Sequence, residues 1–236
     1  MTAPYYMFAP FDRHYDGGFG ATAEAFEHAA DSLEKAGESK HTNGHLPVQF
    51  LYRHAVELYL KAIIVILSKR SAAIIGEDWA PPEIRTELGN RGMTRVHNIG
   101  DLYRQFLTLL RERWPLLKDH CKTDWSSIPE KLAVAIKIIE AHDPAGTLLR
   151  YPANAQTAVE QSKSSFQGLP LDTAAERLKD ACPGVGLFLV DENENVAEAF
   201  VSQDEPLKEL AAALKAASRN LSGAHFGMRM EFGGGW

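Results

Sequence analysis

Arg53, Glu57 and Lys61 recur at four-residue steps inside the run RHAVELYLKAIIVIL, so on a helix all three project from one face. A carboxylate between two cations at this spacing reads in two ways. It can be an exposed ladder of ion pairs, each worth about 0.2–0.5 kcal/mol. Alternatively, the face lines a groove in which Arg53 and Lys61 meet phosphate, because an unpaired charge in so apolar a run is costly to bury. His97 opens the segment HNIGDLYRQF and shares a helical face with Asp101, Arg104 and Arg111, where it can cap the helix or pair with Asp101. Arg150 precedes Tyr151-Pro152 in LLRYP, a turn from which its guanidinium can reach back to Glu57 or Asp101.

The elements that must position these residues are mostly helical. Residues 1–20 read as an irregular arm broken at Gly17-Gly18. Ala25, Ala29, Leu33 and Ala36 predict a helix from Ala21 to about Ala36, with Thr22 as its cap. Leu51, Ala55, Leu58, Ala62, Val65 and Ile66 form a stripe that predicts the strongest helix, from Leu46 to about Arg70. Pro81-Pro82 and Gly89–Gly92 mark a long connection. A third helix is expected from His97, stopping before Pro115, and a fourth after a Ser126 or Ser127 cap, with Leu132, Ala135, Ile136 and Ile139 inward. Val185–Val190 and Val196–Val201 flank a polar turn and predict a β-hairpin over 185–201. The last helix is expected over 206–220.

In order and spacing, YRHAVELYLKAII, HNIGDLYRQF and LLRYP resemble the HEPN fold, the higher eukaryotes and prokaryotes nucleotide-binding domain. That family's second long helix carries a Glu and a Lys four apart in an alanine-rich setting. A His-x-Leu-x-x-Leu helix follows, then often Arg-Tyr-Pro. Glu57, Lys61, His97, Arg150 and Tyr151 hold the matching positions, with Ile99 and Leu102 as the apolar partners after His97. The resemblance covers residues 21–152. It implies an antiparallel bundle, usually a homodimer, that binds RNA or a nucleotide through Arg53, Glu57, Lys61, Arg150 and Tyr151. It also implies a bacterial role in stress, defence or toxin–antitoxin systems, with an antitoxin or other protein as partner.

Nuclease members of that family are metal-independent endoribonucleases carrying an Arg, four to six residues, then a His, both facing a cleft between protomers. The chemistry is intelligible: His exchanges a proton near neutral pH, Arg offsets developing charge on phosphate, and a 2′-hydroxyl nucleophile confines cleavage to RNA. The spacing occurs at Arg91…His97, Arg113…His120 and Arg219…His225. About 1.5 such pairs are expected by chance, the false-positive load of a short motif. Arg219 and His225 are the best catalytic candidates because a polar residue, Asn220, follows the Arg; His97 is the third. Gly223 is expected to interrupt the helix between Arg219 and His225, where the resemblance implies a continuous one.

Composition narrows the remaining classes. The 236 residues carry 25 Lys+Arg against 31 Asp+Glu, a net charge of −6. No global field therefore attracts nucleic acid, and any binding must be local. The segment 91–113 holds five Arg against Asp101 and Glu112, a net +3, and is the basic patch. Cys121 and Cys182 are too few for a disulfide scaffold, and the nine His show no metal-ligand spacing. No Walker loop or dinucleotide fingerprint occurs, so neither metal nor cofactor is expected. No apolar run reaches the length of a membrane span and no signal segment opens the chain, which points to the cytoplasm. The expectation is a mainly α, HEPN-like antiparallel bundle over 21–152, with an extension over 153–236 packed on it. The competing function is a non-catalytic dimerisation or protein-interaction module.

Overall fold

Every residue from Ala55 to Leu67 is buried, thirteen in succession. A helix apolar and buried all round must be enclosed by others. The computed structural model describes residues 8–150, 162–180, 184–203 and 206–235, and in it this run is the middle of the central helix. The helices are α1 (Phe19–Lys35), α2 (His45–Ile75), α3 (Ile99–Leu117), α4 (Glu130–His142), α5 (Leu171–Asp180) and α6 (Lys208–Phe232). The strands are β1 (Glu83–Thr86), β2 (Gly89–Gly92), β3 (Phe166–Leu169), β4 (Gly186–Val190) and β5 (Val196–Ser202). The chain is thus mainly helical with two small antiparallel sheets. Among the described residues, no helix is long and apolar enough to cross a membrane.

Helix α2 packs against α1, α3 and α6, and α6 packs in turn against α4. Tyr52, Leu60, Ile63, Ile64, Leu67, Leu102 and Phe106 are among the largest fully buried side chains of this core. Each buried aliphatic side chain contributes about 1.5–3 kcal/mol. Helix α2 extends to Ile75, beyond the expected Arg70, although Ile75 is exposed, because Ser71–Ile75 contains no Gly or Pro to break it. Gly76, with φ +73°, closes it in the left-handed conformation that glycine adopts without strain.

Several expected boundaries move. Helix α1 begins at Phe19, and Thr22 does not cap it; its hydroxyl donates to Gly18 O instead. Helix α3 begins at Ile99 behind Asn98, whose side chain accepts from the Asp101 N–H. It continues through Pro115 to Leu117; the carbonyl that Pro115 cannot satisfy belongs to exposed Arg111, where water can serve. Ser126 pairs with Asp124, and α4 starts only at Glu130 after Pro129. The long connection after α2 contains the hairpin β1–β2.

The C-terminal part departs most from expectation. The hairpin is present as β4 and β5, and β3 adds a third strand in the order β3-β5-β4. Helix α5 rests on β5, where Ala174, Ala199 and Val201 form a small separate core. Helix α6 does not stop at Asn220; it runs unbroken through Gly223 to Phe232. One exposed glycine costs about 1 kcal/mol in a helix, whereas Leu221, Met228 and Phe232 are each buried and return about 1.5–3 kcal/mol apiece. The last helix is therefore a member of the bundle rather than part of an appendage.

Candidate functional site

Where α2 passes the start of α3 and the 143–150 turn, its charged face meets a set of charges drawn from three segments. Glu57 is the hub. Its Oε1 accepts from Lys61 Nζ at 2.8 Å and lies 2.9 Å from His97 Nδ1. Its Oε2 accepts from Arg53 at 3.3 Å and lies 3.8 Å from Arg150 Nη2. Arg53 also donates to Asp143 at 2.6 Å and to the His97 carbonyl at 2.9 Å. Asp143 in turn accepts from the Leu148 N–H. The 143–150 turn is thereby fixed against α2, and Gly146 allows the close approach: with φ +73°, its missing Cβ would lie 2.2 Å from Arg53 Nη2.

Exposure divides this cluster. Arg53, Glu57 and Lys61 side chains are 1%, 1% and 3% exposed. The ladder is therefore neither the solvated face nor a row of cations open to phosphate, because α2 is enclosed by the bundle on this side as well. Arg53 and Lys61 are spent on Glu57 and Asp143. The His97 side chain, by contrast, is 47% exposed and that of Arg150 is 27% exposed. They form the open edge of an otherwise internal network. His97 pairs with Glu57 rather than with Asp101, which instead accepts from Arg104, while Arg104 also reaches Glu140. Arg150 takes the Glu57 alternative. Tyr151 lies outside the described residues.

The electrostatics follow from the pairing. Burial by itself would raise the Glu57 carboxyl, but Lys61 and His97 outweigh it and hold it below its usual range. An ionised carboxylate only accepts, so His97 carries its hydrogen on Nδ1 and donates it to Glu57. That leaves Nε2, which has no hydrogen-bond partner among the described residues, as the ring nitrogen at the exposed edge. Two carboxylates, Glu57 and Asp143, face three fixed cations, Arg53, Lys61 and Arg150, so the edge carries a positive surplus even with His97 neutral. Among the described residues no group of His, Cys, Asp and Glu side chains is disposed to hold a metal ion.

The other catalytic candidates are not brought together. Six residues along an α-helix turn the side chain to a direction about 120° away, and α6 is continuous between Arg219 and His225. Arg219 donates to Glu27 and Asp31 of α1. The same carboxylates accept from Tyr59 and Tyr52 respectively. His225 is buried, 2.9 Å from Asp16 Oδ2, and Asp16 also accepts the Gly18 and Gly20 N–H groups. Each residue fastens α6 to α1 or to the turn before it. Arg91 and Arg95 of the basic patch are exposed on and after β2, and Arg113 is partly exposed near the end of α3. His120 lies 3.3 Å from Arg70.

Asp143 is the partner that the residue spacing missed. In sequence it belongs to Asp-Pro, a plain turn signal, and nothing local distinguishes it from a solvated Asp. The chain matches no known family model, no curated protein and no solved structure.

Proposed function

We propose that the chain binds an RNA or nucleotide phosphate at the edge formed by His97 and Arg150, and that the chemistry this edge supports is metal-independent cleavage of RNA. The observation that carries the reading is the Glu57–His97 pair: a buried carboxylate 2.9 Å from Nδ1 of a half-exposed imidazole. A carboxylate behind a histidine fixes its tautomer and the orientation of its ring. His97 Nε2 then takes the proton from a ribose 2′-hydroxyl as its oxygen bonds to phosphorus, and returns that proton to the 5′-oxygen as the P–O5′ bond breaks, giving a 2′,3′-cyclic phosphate and a 5′-hydroxyl. Arg150 holds the phosphate and offsets the charge that develops on it. Arg53, Lys61 and Asp143 act at one remove by holding Glu57 and the 143–150 turn. This reading keeps the HEPN resemblance and moves the proton-transfer role from Arg219 and His225 to His97.

The test is incubation of the purified chain with single-stranded RNA and with DNA of the same sequence, in EDTA. RNA alone should be cleaved, and His97→Ala and Arg150→Ala should each lower the rate by about 10²–10⁴-fold, the usual worth of a positioned acid, base or phosphate clamp. Binding of RNA without cleavage would leave the phosphate site and remove the catalytic step. Neither binding nor cleavage would sink the reading.

A second reading, a dimerisation module, rests on a different observation. The β4 edge strand is apolar on both faces, with Val185, Leu187, Phe188, Leu189 and Val190 each 43–60% exposed. An edge of this kind is a template for another strand. The occupant proposed is β4 of a second copy, paired antiparallel about Phe188. In that arrangement the acidic turn of one copy (Asp191, Glu192, Glu194) lies at the opposite end from its counterpart. Analytical ultracentrifugation should show a dimer that Leu189→Lys converts to monomer; a monomeric parent chain would end this reading.

A further inference from the structure

A second feature lies one turn of α2 before Arg53. Between the start of α2, the 38–42 turn, the ends of β3 and β5 and the start of α6 there is a cleft of about 1100 Å³. It is larger than the roughly 300–1,000 Å³ typical of small-molecule sites. Its walls are held in place across the chain. Asn43 N donates to Ser165 Oγ at 2.7 Å, Ser165 N donates back to Asn43 Oδ1 at 2.8 Å, and His45 bonds the Lys163 carbonyl at 2.8 Å. The cleft is thus built before any ligand arrives.

Its lining is mixed in a specific way. Lys40 and His41 stand at one rim beside Thr42, Phe166 supplies an aromatic wall, and Ser202 faces it from β5. Glu34 is already paired with Lys215 and Tyr52, and Glu38 lies 3.9 Å from His41, so Lys40 is the rim cation that neither carboxylate engages among the described residues. Gln49 lies in the floor, 2% exposed, with its amide oxygen lacking a hydrogen-bond partner among the described residues and its nitrogen 3.4 Å from the Pro206 carbonyl. A buried amide with an unmet acceptor is a group waiting for a donor. A cation beside hydroxyls suits a phosphate. An unmet acceptor and an aromatic wall suit a hydroxyl-bearing or amino-bearing ring.

We infer that this cleft binds a phosphomonoester carried on a hydroxylated ring, of the size of a nucleoside monophosphate or a sugar phosphate. The phosphate lies against Lys40, His41 and Thr42, the ring lies along Phe166, and a ring hydroxyl or amino group donates to the Gln49 oxygen once the terminal amide turns toward it. A free phosphate ion fills too little of the cleft to reach Gln49 and Phe166 together. The site is separate from the His97–Arg150 edge and does not depend on that reading.

Isothermal titration calorimetry on the full chain, with AMP, ribose 5-phosphate and inorganic phosphate as titrants, tests this. A saturable AMP site is expected that persists in Arg150→Ala, where a nucleotide phosphate held at the His97–Arg150 edge is lost, with inorganic phosphate weaker there by about tenfold or more. Comparable binding of ribose 5-phosphate assigns recognition to the sugar phosphate; a strong preference for AMP assigns it to the base as well. Lys40→Ala combined with Thr42→Val, both at exposed positions that leave the fold intact, should weaken AMP by about tenfold or more, and Arg150→Ala should leave it unchanged. No saturable heat at millimolar AMP, equal affinity for inorganic phosphate, or loss on Arg150→Ala with none on Lys40→Ala would overturn the inference.

Discussion

Glu57 Oε1 lies 2.9 Å from His97 Nδ1, yet the two side chains live in different solvents: Glu57 is 1% exposed and His97 is 47% exposed. A single hydrogen bond therefore couples the interior charge network to the surface. Its strength derives from the interior side, where Lys61 and Arg53 keep the carboxylate ionised. Its chemical use lies on the exterior side, where it fixes which imidazole nitrogen faces outward.

Glu57→Gln should therefore be costly. The amide has the shape of the carboxylate but leaves Lys61 and Arg53 facing a neutral group. Removing one partner of a buried ion pair typically costs about 3–5 kcal/mol, and urea unfolding at pH 7 should show a loss of that order. The pH dependence has a definite sign. Glu57 titrates below its usual 4.5 in the folded chain, so the unfolded chain binds the proton more readily as acid is added. The stabilisation from Glu57 is present above pH 4.5 and is lost as the pH falls below it. The parent chain should lose stability steeply in that window, and Glu57→Gln, with no carboxyl to titrate there, less steeply.

Gly146→Ala examines the turn that carries Arg150. The new Cβ would meet Arg53 Nη2 at 2.2 Å, and the backbone there has φ +73°. The left-handed conformation alone costs about 1–2 kcal/mol for a residue with a Cβ, and displacement of a buried guanidinium adds to it. Thermal unfolding should show a drop at least that large. If the reading of the His97–Arg150 edge holds, RNA binding should weaken in the molecules that remain folded. A variant as stable as the parent would mean that Arg53 does not hold the turn as closely as this geometry has it.

His54 gives a signal at a different pH. It is stacked on Phe50 and edge-on to Phe26, its Nδ1 is buried without a hydrogen bond among the described residues, and burial depresses its ring pKa despite the pull of Glu57. Between the ordinary value of 6.5 and the lower folded value, the unfolded chain binds the proton and the folded chain does not. Stability should accordingly fall as the pH drops below 6.5. His45, also depressed by burial, contributes in the same sense. His54→Phe should flatten part of this slope, read from urea midpoints at several pH values between 5 and 7.5. An unchanged slope would place the titrating group elsewhere.

The helical core was legible because burial and periodicity are local signals. The α2 stripe and the inward face of α4 lie where the spacing puts them. The charged face of α2 was legible as a pattern but not as an environment: Arg53, Glu57 and Lys61 look alike whether water or Asp143 lies opposite, and Asp143 is ninety residues away. The end of α6 is not legible locally, because the penalty at Gly223 is a local signal whereas the surfaces that bury Leu221, Met228 and Phe232 are distant in sequence. Strand β3 and helix α5 left little trace because their core is only Ala174, Ala199 and Val201 with a few partly buried neighbours.

His225 and His97 can be told apart by one pair of substitutions. His225 is 5% exposed and bonded to Asp16, itself 1% exposed, and Gly20 lies so close that a Cβ there would meet the imidazole at 2.1 Å. His225→Ala removes a buried partner from a carboxylate and opens a void between α6 and the start of α1. Losing one hydrogen bond to a buried carboxylate costs about 1.5–3 kcal/mol, although Asp16 keeps the Gly18 and Gly20 N–H groups. The melting temperature should fall accordingly, while RNA cleavage per folded molecule should be unchanged. His97→Ala removes a half-exposed ring whose one hydrogen bond is not needed to keep Glu57 paired, since Lys61 and Arg53 remain. Its melting temperature should barely move, and cleavage should be lost. The reverse outcome, cleavage abolished by His225→Ala in a chain of unaltered stability, would return the proton-transfer role to α6 and leave His97 as a surface contact of the Glu57 network.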